Sequence, residues 1–256
     1  MKHNRYDEVI NLVENDIPIL LIGEAGSGKT TLIKQIAEQL NLKFFSVSMT
    51  RQTTLSSLVG FKNINGDYVS SQLREAVEFG GLMLLDEIDA GDPNVLLCIN
   101  TLENNFMSFP DIIVKKHKDF RLCATANPQG KQFTGRAVLD AATLDRFDII
   151  DLPTDKSLET EIIGASVADQ VKDIRETLKK WNYEKSITMR DSIRLKKRIE
   201  LNLVTGFIEK LFENNDELIA DFNERRERKT FIPQEMCNTI DELILNVKKS
   251  QGVHDA

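Results

Sequence analysis

Eight residues near the start of the chain carry its strongest structural signal: Gly23-Glu24-Ala25-Gly26-Ser27-Gly28-Lys29-Thr30. They fit the pattern G-x-x-x-x-G-K-[ST], in which glycines let the backbone N–H groups wrap around phosphate oxygens. An apolar run, Ile17–Ile22, precedes the pattern, and apolar residues at helical spacing follow it from Thr31 to Leu40. This order of strand, loop and helix aims a helix N-terminus at an anion, so the sequence predicts a phosphate-binding loop.

Two acids after an apolar run form the second signal, Leu82-Met83-Leu84-Leu85-Asp86-Glu87. Such a run is typical of a buried parallel strand whose carboxyl end delivers carboxylates to a ligand. Lys29 is then expected to reach the β- and γ-phosphates of a nucleotide, while Thr30 and Asp86 hold Mg²⁺. Glu87 is the candidate general base for an attacking water. An acid after a strand is often only a capping residue, and for Asp89 a solvated turn acid is at least as good an interpretation.

Short apolar runs alternate with helical patterns up to about Leu152, which predicts a mostly parallel sheet covered by helices. A leading helix is expected at about Tyr6–Glu14. The predicted strands are Ile17–Ile22, Phe44–Ser48, Leu82–Asp86, Arg121–Ala126 and Phe147–Leu152. Beyond Pro153 the pattern is helical, at Leu158–Trp181, Met189–Phe212 and Gln234–Lys249. We therefore expect an α/β fold: a three-layer P-loop nucleoside triphosphatase sandwich with a parallel five-stranded sheet in residues 1–154, followed by a small helical lid domain in residues 155–256.

The composition indicates which broad classes of protein this chain can belong to. The chain has 256 residues, 41% of them hydrophobic and 29% charged, as in globular proteins. No apolar run reaches the roughly 18 residues of a membrane span, so we expect a cytoplasmic protein without a membrane partner. The net charge of −7 argues against broad nucleic-acid binding. The isolated Cys98, Cys123 and Cys237 are interpreted as ordinary reduced thiols.

Further stretches match motifs of a known family. The polar-sensor strand of AAA+ ATPases resembles Arg121-Leu122-Cys123-Ala124-Thr125-Ala126-Asn127-Pro128. Their arginine-finger helix resembles Gly135-Arg136-Ala137-Val138-Leu139-Asp140-Ala141-Ala142-Thr143-Leu144-Asp145-Arg146-Phe147. Their second sensor resembles Ser186-Ile187-Thr188-Met189-Arg190.

Within AAA+ ATPases the sequence is most similar to the MoxR-like branch, in particular to the small ATPase subunit of cobaltochelatase. The helix-2 insert of that branch resembles Leu58–Gly60 together with Gly66–Ser70 and Leu73–Ala76. Its hairpin before the first sensor resembles Phe109–Asp111 followed by His117–Arg121. The resemblance covers about Ile17 to Leu158, plus the short stretch at Arg190.

The resemblance implies roles for two residues within one subunit. Asn127 would orient the attacking water or touch the γ-phosphate, and a turn residue before Pro128 is the alternative. Arg190 would reach the nucleotide from the lid, and a solvated basic helix face is the alternative. The expected nucleotide-binding residues are Gly23, Glu24, Ala25, Gly26, Ser27, Gly28, Lys29, Thr30, Thr31 and Arg190.

Two further arginines would act on a neighbouring subunit. The resemblance implies that Arg146 is supplied in trans, where it would neutralise charge on the transferring phosphoryl group. A salt bridge with Asp145 or Asp148 is the alternative for Arg146. Arg136 is a second candidate for the trans position.

The resemblance also implies what the protein does. It predicts Mg²⁺-dependent ATP hydrolysis in a ring, with six subunits the expected number, that remodels a protein partner. In related systems that partner often carries a von Willebrand factor A-type domain. A nucleic-acid-stimulated motor or loader and a nucleotide-dependent scaffold are the alternatives. The phosphate loop by itself does not distinguish ATP from GTP.

Overall fold

The structure, a computed structural model, describes residues 2–128, 139, 141–165, 167–168, 171–172, 175 and 187–201. Contacts divide the chain into two compact units, Met1–Leu158 and Glu159–Ala256. No helix in the described ranges is long and apolar enough to cross a membrane.

The helices of the described residues are α1 (Tyr6–Glu14), α2 (Lys29–Gln39), α3 (Leu55–Val59), α4 (Gln72–Phe79), α5 (Pro93–Leu96), α6 (Ala141–Leu144), α7 (Lys156–Ile163) and α8 (Met189–Glu200). The strands are β1 (Ile19–Ile22), β2 (Phe44–Ser48), β3 (Phe61–Lys62), β4 (Tyr68–Val69), β5 (Gly81–Asp86), β6 (Phe106–Ser108), β7 (Ile113–Lys115), β8 (Phe120–Ala126) and β9 (Asp148–Asp151). Two 3₁₀ segments, Ile88–Ala90 and Leu97–Asn104, follow β5 and α5.

The five predicted strands form one parallel sheet in the order β2-β5-β8-β1-β9, which confirms the predicted fold class. Strand β2 has the predicted bounds, and the ends of the other strands differ from the predictions by at most two residues. Ile22 lies in register with Ala126 of β8 and with Asp151 of β9. The carboxyl ends of β5, β8 and β1 therefore lie side by side at one edge of the sheet.

Side chains of each central strand pack on both faces of the sheet. In β5, Leu82 and Leu84 join the cluster formed with α1 and α2, whereas Met83 and Leu85 join the cluster on the opposite face. All four side chains are fully buried. Each contributes roughly 1.5–3 kcal/mol by burial, so an uninterrupted apolar run is the expected composition of a strand covered on both sides. The result is the predicted three-layer arrangement.

Two short antiparallel ribbons lie where the resemblance predicts an insert and a hairpin: β3–β4 and β6–β7. The buried side chain of Arg74 on α4 links them. Its Nε donates to Glu78 and its Nη1 to Asp111, both at 2.8 Å. The guanidinium also lies over the rings of Tyr68 and Phe109, 5.2 and 4.8 Å from their centroids. The ring of Tyr68 thus packs against Arg74 of the same domain.

Asp155 fixes the start of α7. Its carboxylate accepts hydrogen bonds from the amides of Ser157 (3.0 Å), Leu158 (3.1 Å) and Asn4 (2.8 Å). Burial alone would raise the pKa of Asp155, but the hydrogen bonds from the Ser157 hydroxyl and from the amides of Leu158 and Asn4, together with the nearby His3, lower it below the ordinary 3.8. The stability that this carboxylate contributes is therefore present at neutral pH and lost under strongly acidic conditions.

The helical part differs from the prediction in one respect. The expected helix Leu158–Trp181 begins earlier, at Lys156, and is interrupted after Ile163 because Gly164 has a left-handed φ of 87°. Beyond the interruption, the described residues 165, 167–168, 171–172 and 175 are helical again. Helix α8 begins as predicted at Met189, after a capping box of Thr188 and Asp191. The remainder of the expected Met189–Phe212 helix beyond Leu201, and the expected helix Gln234–Lys249, lie outside the described residues.

Candidate functional site

The phosphate loop joins β1 to α2 as the motif predicts. Gly28 precedes α2 with a φ of 95°, a conformation that side chains beyond glycine rarely adopt. This turn leaves the first helical amides, those of Lys29, Thr30 and Thr31, without acceptors inside the helix. Three amides and the positive end of the helix dipole therefore converge on one point, which suits a phosphate group.

The base of this loop is tightly enclosed. The amide of Gly23 donates to the carbonyl of Ala126 at 3.3 Å. A Cβ at position 23 would lie 2.3 Å from the carbonyl oxygen of Leu152 and 2.8 Å from Ser27 Oγ. Real Cβ atoms do not approach other atoms closer than 3.0 Å. Only glycine fits between the ends of β8 and β9, so its role here is steric.

Lys29 is buried, with 8% of its surface exposed, although it carries a charge. Its Nζ donates to the carbonyls of Gly23 (2.5 Å) and Glu24 (3.0 Å) and to Oδ1 of Asn127 (3.3 Å). A buried ammonium is further stabilised by an anion. Phosphate oxygens would supply that anion.

Thr30 and Asp86 come together although 56 residues separate them. Thr30 Oγ1 lies 3.1 and 3.4 Å from the two carboxylate oxygens of Asp86, the last residue of β5. One carboxylate beside one hydroxyl suits Mg²⁺, which binds hard oxygen ligands and keeps several waters or phosphate oxygens in its shell. The two residues predicted to hold the metal therefore fit it in donor type and in position.

Glu87 has an unusual backbone. Its φ of 55° and ψ of 49° are left-handed, which costs a non-glycine residue about 1 kcal/mol or more. Its amide donates to Thr125 Oγ1 at 2.9 Å. The same hydroxyl donates a short hydrogen bond to Oδ1 of Asp86. Thr125 has no predicted role, and the signal that could have identified it is a hydroxyl between Ala124 and Ala126 in the buried half of β8.

Asn127 follows β8, the strand between β1 and β5, and is 5% exposed. Its Oδ1 accepts from Lys29, while its Nδ2 has no hydrogen-bond acceptor among the described residues. Ser27 Oγ, in the loop itself, is also buried and has no partner in the same part of the chain. Unsatisfied buried polar atoms are costly, so two of them beside Lys29 indicate a polar ligand at this edge.

The roles of the three predicted arginines stay predictions. Arg146, just after α6, is half-buried, and its Nε and Nη1 atoms are buried within this one chain. Its role in trans stays a prediction. Arg190 lies on α8 of the second unit, so its role toward the nucleotide also stays a prediction. Arg136 lies outside the described residues.

The cysteines show no sign of reactivity. Burial raises the pKa of the Cys98 thiol to about 11 and that of Cys123 well above its ordinary range, so both thiols stay protonated at neutral pH. Cys237 lies outside the described residues. No group of three or more His, Cys, Asp or Glu side chains in the described part could hold a metal ion.

Part of the chain matches a family of known proteins. Residues 18–147, slightly more than half of the chain, match the family described as "AAA domain (dynein-related subfamily)". The matched segment contains the phosphate loop, Asp86, Glu87, Asn127 and Arg146.

Several curated proteins are similar over about the same segment. The aerobic cobaltochelatase subunit CobS of Sinorhizobium sp is 31% identical over 183 residues, 63% of this chain and 54% of that protein. Midasin of Dictyostelium discoideum is 33% identical over 156 residues, 57% of this chain but 3% of midasin. Mouse von Willebrand factor A domain-containing protein 8 is 31% identical over 46% of this chain and 7% of that protein. The chain thus spans a small part of the large relatives and about half of CobS.

Solved structures share the fold at lower identity. NtrX from Brucella abortus superposes with a TM-score of 0.54 and 18% identity, over 79% of this chain and 49% of NtrX. The ATP complex of NtrX gives a TM-score of 0.51 at 17% identity, over 84% of this chain and 52% of NtrX. At this identity the likeness supports the α/β fold alone.

Proposed function

The chain belongs to the dynein-related subfamily of AAA domains, and from that premise we propose that it binds ATP with Mg²⁺ and hydrolyses it. One observation carries the proposal: at the ends of β1, β5 and β8, Lys29 is hydrogen-bonded to Asn127, and the next residue, Thr30, is hydrogen-bonded to Asp86. Polar atoms of Asn127 and Ser27 at the same edge are buried without partners in the described part of the chain. An ATP polyphosphate supplies the negative charge and the acceptors that this group needs.

Each residue has a separate task in the proposed reaction. The amides of the loop and Lys29 hold the phosphates, and Asn127 Nδ2 donates to the γ-phosphate or to the attacking water. Glu87 accepts a proton from that water as its oxygen bonds to the γ-phosphorus and the bond to the bridging oxygen breaks. The products are ADP and inorganic phosphate. Mg²⁺, held by Thr30 and Asp86, would offset the negative charge of the phosphates.

We further propose that the active site is shared between subunits of a ring, with six the expected number. Arg146 would then act on the γ-phosphate bound by the next subunit. The substrate of the ring would be a protein whose conformation or assembly changes with each turnover. CobS is named as a subunit of a larger enzyme, and the mouse relative carries a von Willebrand factor A domain in its name. A protein with such a domain is therefore the first partner to test.

Mixing two inactive variants tests the shared site. We expect Glu87→Gln and Arg146→Ala each to lack ATP turnover, and we expect equal mixtures to regain part of it. In a mixed ring some sites receive a wild-type glutamate from one subunit and a wild-type arginine from the next. Turnover should also rise with protein concentration, together with assembly in sizing experiments.

Either of two results would argue against this assignment. Normal turnover of Arg146→Ala, or mixtures no more active than their components, would remove the shared site while leaving ATP hydrolysis itself in place. Adding double-stranded DNA to the same assay distinguishes the alternative function. Strong, salt-sensitive stimulation by DNA would favour a nucleic-acid motor over a protein remodeller.

A further inference from the structure

Thr125 is a polar residue in the apolar interior of the sheet. It lies in β8 between Ala124 and Ala126 and has no exposed surface. Strand β8 runs between β5 and β1, the two strands that lead to the acidic pair and to the phosphate loop. A buried hydroxyl in a strand interior is costly unless it makes hydrogen bonds, so the Thr125 hydroxyl is expected to have partners.

Its hydroxyl makes two hydrogen bonds of opposite direction to two successive residues. It accepts from the amide of Glu87 at 2.9 Å and donates to Oδ1 of Asp86. A hydroxyl has one proton to donate and lone pairs to accept, so both bonds form at once. One atom therefore fixes the side chain of Asp86 and the main chain of Glu87 relative to each other.

The hydrogen bond from the Glu87 amide acts on a strained residue. The left-handed backbone of Glu87 persists only where surrounding contacts hold it in place. Two of the contacts that hold it are the hydrogen bond from its amide to Thr125 and the hydrogen bond from the Ala90 amide to its carbonyl at 2.9 Å. This conformation turns the chain sharply after β5, and the direction of the Glu87 side chain depends on it.

From this geometry we infer that Thr125 is a positioning residue for ATP hydrolysis: its hydroxyl aligns the metal-facing carboxylate of Asp86 with the backbone of Glu87. The inference rests on the proposed function. The hydroxyl acts only through these two residues, whereas Lys29 and the phosphate loop make no described bond to it. Its loss should therefore weaken Mg²⁺-dependent steps and leave metal-free ATP binding unchanged.

The test compares Thr125→Val with Thr125→Ser in the full-length chain. Valine has nearly the same shape but no hydroxyl, while serine keeps the hydroxyl and lacks a methyl group. Partners that orient metal ligands typically account for 10- to 100-fold in activity or metal affinity. We expect Thr125→Val to lower kcat by about 10- to 100-fold and to raise the Mg²⁺ concentration that half-saturates ATP binding by about 10-fold. Thr125→Ser should stay close to wild type in both.

Three readouts distinguish a positioning role from a packing role: kcat, the Mg²⁺ titration of ATP binding, and the melting temperature. Turnover and Mg²⁺ dependence of Thr125→Val equal to those of wild type would overturn the inference. Equal loss in both variants with a lower Tm would also overturn it, because the loss would then follow from disturbed packing and not from the absence of the hydroxyl. Should Thr125→Val fail to fold, Thr125→Cys replaces it, since a thiol keeps a side chain there but is a weak donor and acceptor.

The proposed function fails in a different way. A wild-type chain that binds no ATP at any Mg²⁺ concentration would overturn the ATPase assignment itself, and the inference with it. A wild-type chain that binds and hydrolyses ATP, beside a Thr125→Val variant that does the same, would overturn the inference alone.

Discussion

Replacing Gly23 by alanine should damage the phosphate loop more than its small size suggests. The new Cβ would lie 2.3 Å from the carbonyl oxygen of Leu152, about 0.7 Å closer than the 3.0 Å limit of real Cβ contacts. The obstacle is backbone, and rotating a side chain cannot relieve it. The Leu152 amide in turn donates to the Ile22 carbonyl at 2.6 Å, so β9 cannot move without disturbing β1.

The cost divides between stability and binding. Overpacking of this kind costs about 1–3 kcal/mol of unfolding free energy. A displacement of nearly 1 Å also moves the loop amides away from the phosphates, and misplacements of that size reduce the efficiency of an active site by about 100-fold. We therefore expect Gly23→Ala to bind ATP at least 10-fold more weakly, as measured by isothermal titration calorimetry with Mg²⁺, and to unfold at lower urea concentration.

Gly66→Ala is the matched control. Gly66 has a left-handed φ of 86° in the turn between β3 and β4, and a Cβ there meets nothing within 4 Å. Alanine at this position costs about 1 kcal/mol of backbone strain and should leave ATP affinity unchanged. Equal ATP affinity of Gly23→Ala and Gly66→Ala, at similar stability, would refute the steric argument.

Three other changes test separate parts of the structure. Arg74→Ala removes two ion pairs of a buried guanidinium and should lower the unfolding free energy by about 2–3 kcal/mol. Lys43→Ala is the control, because it breaks an exposed ion pair and should lower the unfolding free energy by less than about 0.5 kcal/mol. Equal losses of the two variants in urea unfolding would contradict this prediction. Asp155→Ala should cost about 1 kcal/mol at pH 7. Burial alone would raise the pKa of Asp155, but hydrogen bonds hold it below 3.8, so the difference from wild type should shrink as the pH falls under that value; a constant difference down to pH 3 would be inconsistent. Asn127→Ala should lower kcat by about 100-fold with a much smaller change in ATP affinity, and a pure loss of affinity would assign Asn127 to binding instead.

The sequence predicts those parts of the fold that depend on local signals. Strand β5 reads as a run of four apolar residues ending in Asp86, and that run alone specifies a strand buried on both faces. The glycines and Lys29 of the phosphate loop are equally predictable, because phosphate binding requires the glycines for backbone geometry and the lysine for charge. Helix α1 also follows directly from its apolar spacing and the turn after Glu14.

Contacts between segments that are distant in the sequence are harder to predict. Nothing in the local sequence says that β8 lies between β5 and β1, although Lys29 reaches Asn127 only because it does. Thr125 was overlooked because threonine is common in strands for its shape, and its two hydrogen bonds depend on the left-handed turn at Glu87. The break at Gly164 was missed because helical periodicity continues on both sides of it.

In the proposed mechanism, ATP is hydrolysed at the carboxyl ends of β1, β5 and β8, with Glu87 as the general base. The most direct test measures ATP affinity and ATP turnover of the wild type and of Glu87→Gln in the presence of Mg²⁺. Glutamine keeps the shape of the side chain and cannot accept the proton, so ATP affinity should stay near that of wild type while turnover falls by at least about 100-fold. Turnover of Glu87→Gln at the wild-type rate would contradict this mechanism, because the reaction would then proceed without its proposed general base.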